Sequence, residues 1–420
     1  MTASVAASSG AQESSPEPLP PAPTGEAPEP RPGLWRLGPV YVTPTLRVGN
    51  VGIDSNVLFR AADRQRDFSV SGGPGLELVL PATRALRLRT SGRLDYLYFA
   101  RTSDQRRLAG EGSAGVSWTG ASFLAGAEHA YAKTFGRPSP EVDDRADQTQ
   151  RSTRAEVGFW GGARRFGLST AFTASRYELD AGQVYLGSDL AAALSRDEDR
   201  AQLALRYGLT PKTALVLAGD QQWDRFLRSP VRDADSNRAL FGFEVRSETR
   251  LTGRALAGIR SFRLRSSSDS RVFACADVDL GYTVSPRTRF ELRYRRDLEY
   301  SAFATSGETP TVATQSYGLG LQKLLVARLD LRLAGGLKRL ASDGDVALVL
   351  PDQGLVVAPR RDDLWLAGAD LGYTFGSRLR VGLAAAYANR DSTIAYFGVR
   401  GLVMGATVVY SGTPTLTLRP

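Results

Sequence analysis

Residues 289–300, RFELRYRRDLEY, alternate between charged and apolar side chains along their whole length. One set of alternate positions carries only charges, namely Arg289, Glu291, Arg293, Arg295, Asp297 and Glu299. The other set carries apolar or aromatic residues at every position except Arg296. A helix would scatter the charges around its circumference, whereas a strand, with its period of two, places them all on one face. The segment is therefore predicted to be a strand with one apolar and one ionic face.

The same two-faced pattern recurs in other segments, whose charged faces include Arg87, Arg89, Arg93, Asp95, Arg328, Asp330, Arg332, Arg378 and Arg380. A soluble core does not tolerate such rows of buried charge. In a membrane-spanning β-barrel the apolar faces contact lipid and the charged faces line the interior, so these side chains are predicted to line a lumen. Arg296 would then face lipid. That costs roughly 2–4 kcal/mol at mid-membrane and little at the interface, so Arg296 is predicted to lie near a membrane edge.

Strand-like runs recur from Pro39 onwards, and each is long enough to cross a membrane, because about 9–11 tilted residues span the hydrocarbon layer. Tight turns are predicted at Pro81, Pro211 and Pro286, and near Gly120, Gly162, Thr252, Val326 and Gly376. Longer polar loops alternate with these turns. Only a closed barrel lets antiparallel strands cross lipid without unpaired backbone groups. The pattern therefore predicts an all-β, transmembrane, antiparallel up-and-down β-barrel of about 18 strands, with a range of 16–18.

Aromatic residues fall mostly near the predicted strand ends, at Tyr96, Tyr98, Trp118, Trp160, Phe166, Trp223, Phe226, Tyr300, Tyr373, Phe375 and Tyr410. This distribution is typical of the aromatic girdles at membrane interfaces, although aromatic residues also flank turns in soluble sheets. With an even strand number both termini lie at the end of the short turns, which in bacterial outer membranes is the periplasmic side. The chain is therefore predicted to be an integral outer-membrane protein in contact with lipid, with a periplasmic N-terminus and longer extracellular loops.

Three regions differ in composition. Residues 1–35 contain eight prolines between positions 16 and 32 and are predicted to form a disordered periplasmic tether. Residues 1–11 resemble the end of a signal peptide, so either the true start lies upstream or the protein stays in the cytoplasm, and the barrel pattern favours the first alternative. Residues 36–411 are predicted to form the barrel, and residues 412–420 a C-terminal tail.

Several other classes of function are disfavoured. The chain has 49 arginines and a net charge of +9, but the arginines alternate with acids inside strands, which argues against nucleic-acid binding. His129 and Cys275 are the sole residues of their types, so no metal cluster, disulfide or catalytic triad is expected, and neither an enzyme nor a cofactor is predicted. Cys275 is predicted to pack as a small apolar side chain. The acidic loops 141–147 and 232–237 offer carboxylates for Ca²⁺ but lack EF-hand spacing, which favours solvated loops.

Residues 43–59, TPTLRVGNVGIDSNVLF, resemble the first strand of the putative beta-barrel porin 2 family. In that family a proline-containing strand runs into a D-x-N-[VI] corner before the first surface loop. Pro44 matches the proline, and Asp54, Asn56 and Val57 match the corner. The resemblance implies an outer-membrane barrel associated with exopolysaccharide synthesis and export, working with a periplasmic polysaccharide-export protein, whereas some family members are treated as porins.

The last predicted strand, GLVMGATVVY, resembles the signal that the outer-membrane assembly machinery recognises. Gly405, Val408 and Tyr410 match its glycine, spaced apolar residue and final aromatic residue, whereas Met404 replaces the usual polar residue. The resemblance implies that this machinery inserts the barrel.

An arginine-rich lumen would attract anions, because guanidinium groups pair with carboxylate, phosphate or sulfate. Acidic polysaccharide and small anionic metabolites both fit that field. The alternative is that arginines and acids pair with one another and merely stiffen the wall. The sequence therefore predicts the translocation channel of an exopolysaccharide export system, and the alternative is a passive diffusion porin for small anionic solutes.

Overall fold

The computed structural model of the chain describes residues 35–161, 165–245, 250–267, 270–305 and 311–411. The predicted tether up to residue 34, the tail 412–420 and the predicted turn at Gly162 lie outside the described residues. A closed antiparallel sheet accounts for nearly all of the described structure. Within this part of the chain, no helix has the length and apolar character needed to cross a membrane.

The strands of the wall are numbered in chain order. They are β1 (Val40–Asp54), β2 (Asp67–Pro81), β3 (Leu86–Phe99), β4 (Arg107–Thr119), β5 (Phe123–Gly136), β6 (Ala146–Gly161), β7 (Phe166–Leu179), β8 (Arg196–Gly208), β9 (Thr213–Phe226), β10 (Ala234–Val245), β11 (Leu251–Leu264), β12 (Ser270–Ser285), β13 (Thr288–Tyr300), β14 (Thr311–Val326), β15 (Leu329–Leu350), β16 (Gly354–Phe375), β17 (Leu379–Ser392) and β18 (Val399–Ser411). Additional short elements are the strand Trp35–Leu37, which pairs with β1, the hairpin Val184–Tyr185 with Ser188–Asp189, the helix Leu190–Leu194, and the strand Ala304–Thr305, which pairs with β15. Single 3-10 turns lie at Ser103–Gln105, Pro230–Arg232 and Ala395–Phe397.

The ring is closed by β1 and β18, which pair from Thr45↔Ser411 to Asp54↔Val403. Gly52 lies on this seam opposite Gly405, and a Cβ atom at Gly52 would stand 1.9 Å from the carbonyl oxygen of Met404. A side chain there would push the two closing strands apart, so the seam requires glycine. The prediction of an antiparallel up-and-down transmembrane barrel with 18 strands is confirmed for the part of the chain that the structure describes.

Short and long connections alternate around the ring and give the barrel two different ends. All connections at the turn end have two to five residues, such as the one between β12 and β13, whereas most of those at the loop end are longer. Gly120 and Gly376 lie in turns as predicted, and Val326 is the last residue of β14. Thr252 is the second residue of β11, and the connection predicted near it falls between Val245 and Leu251, where residues 246–249 lie outside the described part of the chain.

The outer face is apolar through the middle of the barrel. Leu217, Leu319 and Leu383 point outward, with 53%, 67% and 68% of their surface exposed. A continuous band of exposed apolar side chains around a closed sheet is unfavourable in water and is solvated by lipid. Trp118, Phe166, Tyr373 and Phe375 are exposed on this face, as predicted for a girdle, whereas Trp160 and Phe226 face inward and are buried. The chain is thus a β-barrel of the outer-membrane type.

The barrel wall parts near the loop end, between β12 and β13. Their pairing stops at Ala276↔Arg296, although β13 stays paired with β14 as far as Tyr300↔Thr311. The last four residues of β13 therefore leave β12 and bend into the lumen. There Tyr300 packs edge-on against Phe226 with ring centroids 4.9 Å apart, and also contacts Phe262 of β11. This bend carries the following loop across the barrel.

Candidate functional site

The inner face of the wall is lined by ion pairs between neighbouring strands. Arg89 Nε lies 2.7 Å from Glu77 Oε1 of β2, and Arg93 Nη2 lies 3.6 Å from Glu111 Oε1 of β4. Among the residues that the sequence predicts to line the lumen, these occupy the face opposite the exposed apolar side chains: Arg87, Arg89, Arg93, Asp95, Arg289, Glu291, Arg293, Arg295, Asp297, Glu299, Asp330, Arg332 and Arg380. Arg328 and Arg378 do not, because both lie in exposed turns at the turn end.

The ion pairs differ sharply in their access to water around the ring. On β3 and β13 the side chains of Arg89 and Arg293 are 60% and 50% exposed. On β10 and β17 those of Arg238 and Arg380 are 6% and 5% exposed. The inner wall therefore carries two kinds of ion pair, which alternate around the ring: hydrated pairs that can exchange partners, and packed pairs that are structural.

The packed ion pairs belong to charge networks that span several strands. Arg260 Nε lies 3.1 Å from Asp297 Oδ1 in an ion pair, and Arg238 Nη1 donates to Asp297 Oδ2 at 3.4 Å, although β13 and β10 are not adjacent. Arg380 contacts both Asp330, at 2.8 Å, and Asp370. Each of these side chains is nearly completely buried, so the networks fix the curvature of the wall and are not available to solutes.

A cap of packed loops covers the loop end of the barrel. Its apolar core consists of buried residues from the connections after β5, β7, β13 and β17 and from the β15–β16 hairpin, and these are Val142, Ala146, Leu179, Tyr185, Leu190, Ala191, Ala193, Leu194, Ala302, Phe303, Val346, Leu348, Leu350, Ile394 and Phe397. Phe303 and Phe397 are completely buried, with ring centroids 6.4 Å apart. This set of residues is called the cap core below.

The strands that support the cap core lie far apart around the ring. Seven strands lie between β5 and β13, and neighbouring strands stand about 4.8 Å apart. Their loops nevertheless touch, because the backbone N–H of Ala302 donates to Glu141 Oε2 at 2.8 Å. Phe303 also packs against Tyr185, from the loop after β7, at a centroid distance of 6.0 Å. Loops from such distant strands meet only by reaching across the mouth, so the cap lies over the lumen.

Beneath the cap core, two arginines of the inner wall hold the loop after β5. Arg390 Nη2 lies 2.5 Å from Asp143 Oδ2, and Arg360 donates to the backbone carbonyl of Glu141 at 3.0 Å. Arg360 also pairs with Asp362 at 2.6 Å and stacks over the ring of Phe397 at 3.4 Å. The prediction of a solvated loop at 141–147 is therefore wrong for Glu141 and Asp143, because both of these acidic side chains are buried.

Glu141 is a titratable residue of the cap whose charged form is disfavoured by burial. Burial raises the pKa of Glu141 above its ordinary 4.5, and Arg360 opposes that rise without overcoming it. The closed cap therefore binds more protons than an open one. The stability of the closed cap falls as the pH rises from about 4.5 to the raised pKa of Glu141, and it is constant at higher pH. The same cause raises the pKa of Asp144.

We expect Glu141→Gln to stabilise the closed cap at neutral pH. Glutamine keeps an oxygen for the N–H of Ala302 and removes the buried charge, so the channel should open less often above pH 5 and its pH dependence should weaken. Bilayer conductance recorded from pH 4 to pH 8 checks this result. Asp180→Asn, at an exposed loop carboxylate, is the matched control and should leave the profile unchanged. An unaltered profile in Glu141→Gln would contradict the assignment.

The predicted corner after β1 is built as a hydrogen-bonded turn. The N–H of Asn56 donates to Asp54 Oδ1 at 2.9 Å, and the Asn56 side chain donates to the carbonyls of Arg60 and Arg400. Asn56 and Val57 are buried, whereas Pro44 lies within β1. The corner therefore ties the first loop to β18 beside the closing seam. On that strand Val408 and Tyr410 share the outward face, and Gly405 points inward.

Neither His129 nor Cys275 has catalytic surroundings. His129 is exposed on the outer face of β5, where Nδ1 lies 2.9 Å from the hydroxyl of Thr153. Cys275 is buried on the inner face, in an apolar cluster with Leu240 and Leu256 of β10 and β11. Among the described residues, no group of three or more His, Cys, Asp or Glu side chains is placed to hold a metal ion.

No family model matches the chain, and no curated protein matches it in sequence. Solved structures with a related fold include the siderophore receptor PirA from Pseudomonas aeruginosa, with 10% identity and a TM-score of 0.46 over 89% of this chain and 80% of that one. The FrpB iron transporter from Neisseria meningitidis gives 8% and 0.46, over 84% and 62% of the two chains. The copper transporter OprC gives 11% and 0.47, over 87% and 65%. Likeness at this level carries no argument about substrate.

Proposed function

We propose that this chain is a gated outer-membrane channel for the export of an acidic polysaccharide. The observation that carries the proposal is the cap over the loop end, whose core residues Phe303 and Phe397 are fully buried. A lumen of 18 strands is wide enough for water and solutes. A passive porin needs an aqueous path at rest, and a packed apolar core across the mouth opposes one. The cap is therefore interpreted as the closed state of a gate.

The hydrated ion pairs of the inner wall support an anionic cargo. Arg89 and Arg293 keep half or more of their side-chain surface in water while paired with acids. Exposed pairs of this kind hold together by at most about 1 kcal/mol, so a carboxylate on a passing polymer can replace the protein acid. Repeated exchange along the wall suits a polymer with regularly spaced charges.

The direction of transport rests on the predicted orientation. With the turn end in the periplasm, the tether 1–35 and a periplasmic polysaccharide-export protein would meet the barrel below, and the cap would lie at the cell surface. The hydrogen-bonded corner at Asp54 and Asn56 agrees with the resemblance to the porin 2 family. A barrel has no energy source of its own, so the periplasmic partner must supply the force that opens the cap.

Deletion of the gene tests the export role. We expect acidic polysaccharide, measured as uronic acid, to fall in the culture medium, to accumulate in the periplasm, and to recover on complementation. The purified barrel should be closed in planar bilayers most of the time. Unchanged polysaccharide in the deletion strain would overturn export, and steady anion-selective conductance by the purified wild type would favour a passive porin instead.

A further inference from the structure

The parting of β12 and β13 leaves an opening in the outer surface of the wall. Above Ala276↔Arg296 the two strands are no longer hydrogen-bonded, and Phe273 of β12 borders the space that β13 vacates. Phe273 shares the inward face with Cys275 by alternation, yet the guanidinium of outward-facing Arg296 lies over its ring at 4.9 Å. The opening therefore connects the lipid-facing surface with a side chain of the inner face.

A cavity of about 540 Å³ occupies this opening and continues over the outer faces of β14 to β17. Its charged lining consists of Arg296, Arg339, Arg361, Asp363 and Asp391. Arg339 pairs with Asp363 at 3.3 Å, in an exposed arrangement. The Nε atom of Arg296 is buried and has no hydrogen-bond partner among the described residues. The cavity is thus bordered by a guanidinium group with one unused hydrogen-bond donor.

The cavity lies at the level where lipid headgroups are expected. The rings of Tyr294 and Tyr317, which face lipid on β13 and β14, stand 4.9 Å apart. The next lipid-facing residues towards the loop end are Arg296 and its cross-strand partner Gln315. On β15, Leu337 is paired with the exposed Trp365, and Arg339 is the next lipid-facing residue towards the loop end. Aromatic residues mark the interface of membrane barrels, so the lipid-facing residues one step nearer the loop end are expected among the headgroups.

We propose that this cavity binds the phosphate-bearing headgroup of a lipid from the surrounding leaflet. Guanidinium groups match phosphate oxygens in geometry and charge, and Arg296 and Arg361 supply two of them toward one space. Phe273 offers an apolar surface beside them, and the lipid chains continue along the apolar wall below. A lipid is favoured over a free anion because the site opens to the membrane side of the barrel. The site also explains why an arginine is placed on a lipid-facing strand.

Native mass spectrometry of the detergent-purified full chain tests this site, with dihexanoyl phosphatidic acid as the probe and dihexanoyl phosphatidylcholine for comparison. The wild type should retain the phosphatidic acid in preference, and the double variant Arg296→Gln/Arg361→Gln should bind it about tenfold more weakly or worse. Arg263→Gln, at an exposed outward arginine of β11 away from the cavity, is the matched control and should bind as the wild type does. Heat-modifiable mobility on gels verifies that each variant is folded.

Three results would overturn the proposal. They are no preference of the wild type for the phosphatidic acid, equal weakening in Arg263→Gln, and displacement of the probe by inorganic phosphate at equal concentration. The last result would identify a small-anion site in place of a lipid site. None of these results depends on polysaccharide export, so the lipid site and the proposed function stand or fall separately.

Discussion

Replacing Phe303 with alanine should open the channel. Phe303 is completely buried in the cap core, where it contacts Tyr185, Phe397 and the guanidinium of Arg360. Deleting a fully buried phenylalanine side chain costs about 3–5 kcal/mol. The core joins loops and not wall strands, so most of this cost should fall on cap closure. Since about 1.4 kcal/mol changes an equilibrium tenfold, the open fraction should rise at least about 100-fold.

Single-channel recording of the purified barrel in planar bilayers measures this change directly. Phe241→Ala is the matched control, because it makes the same substitution on the lipid-facing side of β10, where Phe241 is 55% exposed. The control should keep the closed behaviour of the wild type. Equal open probability in Phe303→Ala and the wild type, with both barrels folded by gel mobility, would show that the cap core does not hold the channel shut.

The strands were predictable because their pattern is local. In 289–300 every second residue is charged, and the structure places Arg289, Glu291 and Arg293 on the inner face of β13. A membrane barrel imposes this alternation, since one face meets lipid and the other meets water. The limits of the strands were less predictable. Arg328 and Arg378 were predicted to line the lumen because the alternation of charged and apolar residues continues from the wall into the turns. In a turn, alternate residues no longer face lipid and lumen.

The cap was not predictable, because its residues are distant in sequence and meet only in the closed ring. Arg360 donates to the backbone carbonyl of Glu141 across 219 positions, and nothing local in the acidic loop 141–147 distinguishes a buried carboxylate from a solvated one. The parting of β12 and β13 is similar. The one local signal was Arg296, an arginine on an otherwise apolar face, which was predicted to lie near a membrane edge and lies where the two strands separate.

Replacing Asp297 with asparagine should destabilise the whole barrel. Asp297 is 4% exposed, forms ion pairs with Arg260 and Arg238, and lies at the start of the bend of β13 that leads to Phe303. Arg238 retains Asp220 at 2.7 Å, but Arg260 would remain buried without a carboxylate. Removing one partner of a buried ion pair costs about 3–5 kcal/mol, because the remaining charge is uncompensated. The midpoint of thermal unfolding, followed by gel mobility at one fixed heating rate, should fall clearly.

Two comparisons separate this effect from a general response to lost charge. Asp197→Asn removes an acid from the exposed pair with Arg176 on the outer face, where about 0–1 kcal/mol is at stake, so its midpoint should hardly move. The double variant Asp297→Asn/Arg260→Met removes both charges and should recover much of the loss, since an apolar side chain needs no partner. Two outcomes would contradict this account: a fall of the midpoint in Asp197→Asn as large as in Asp297→Asn, or a lower midpoint in the double variant than in Asp297→Asn. Either would show that the pairing of buried charges does not hold the end of β13 inside the lumen. The cap would then depend on its apolar contacts alone, and Phe303→Ala would be the variant that sets its stability.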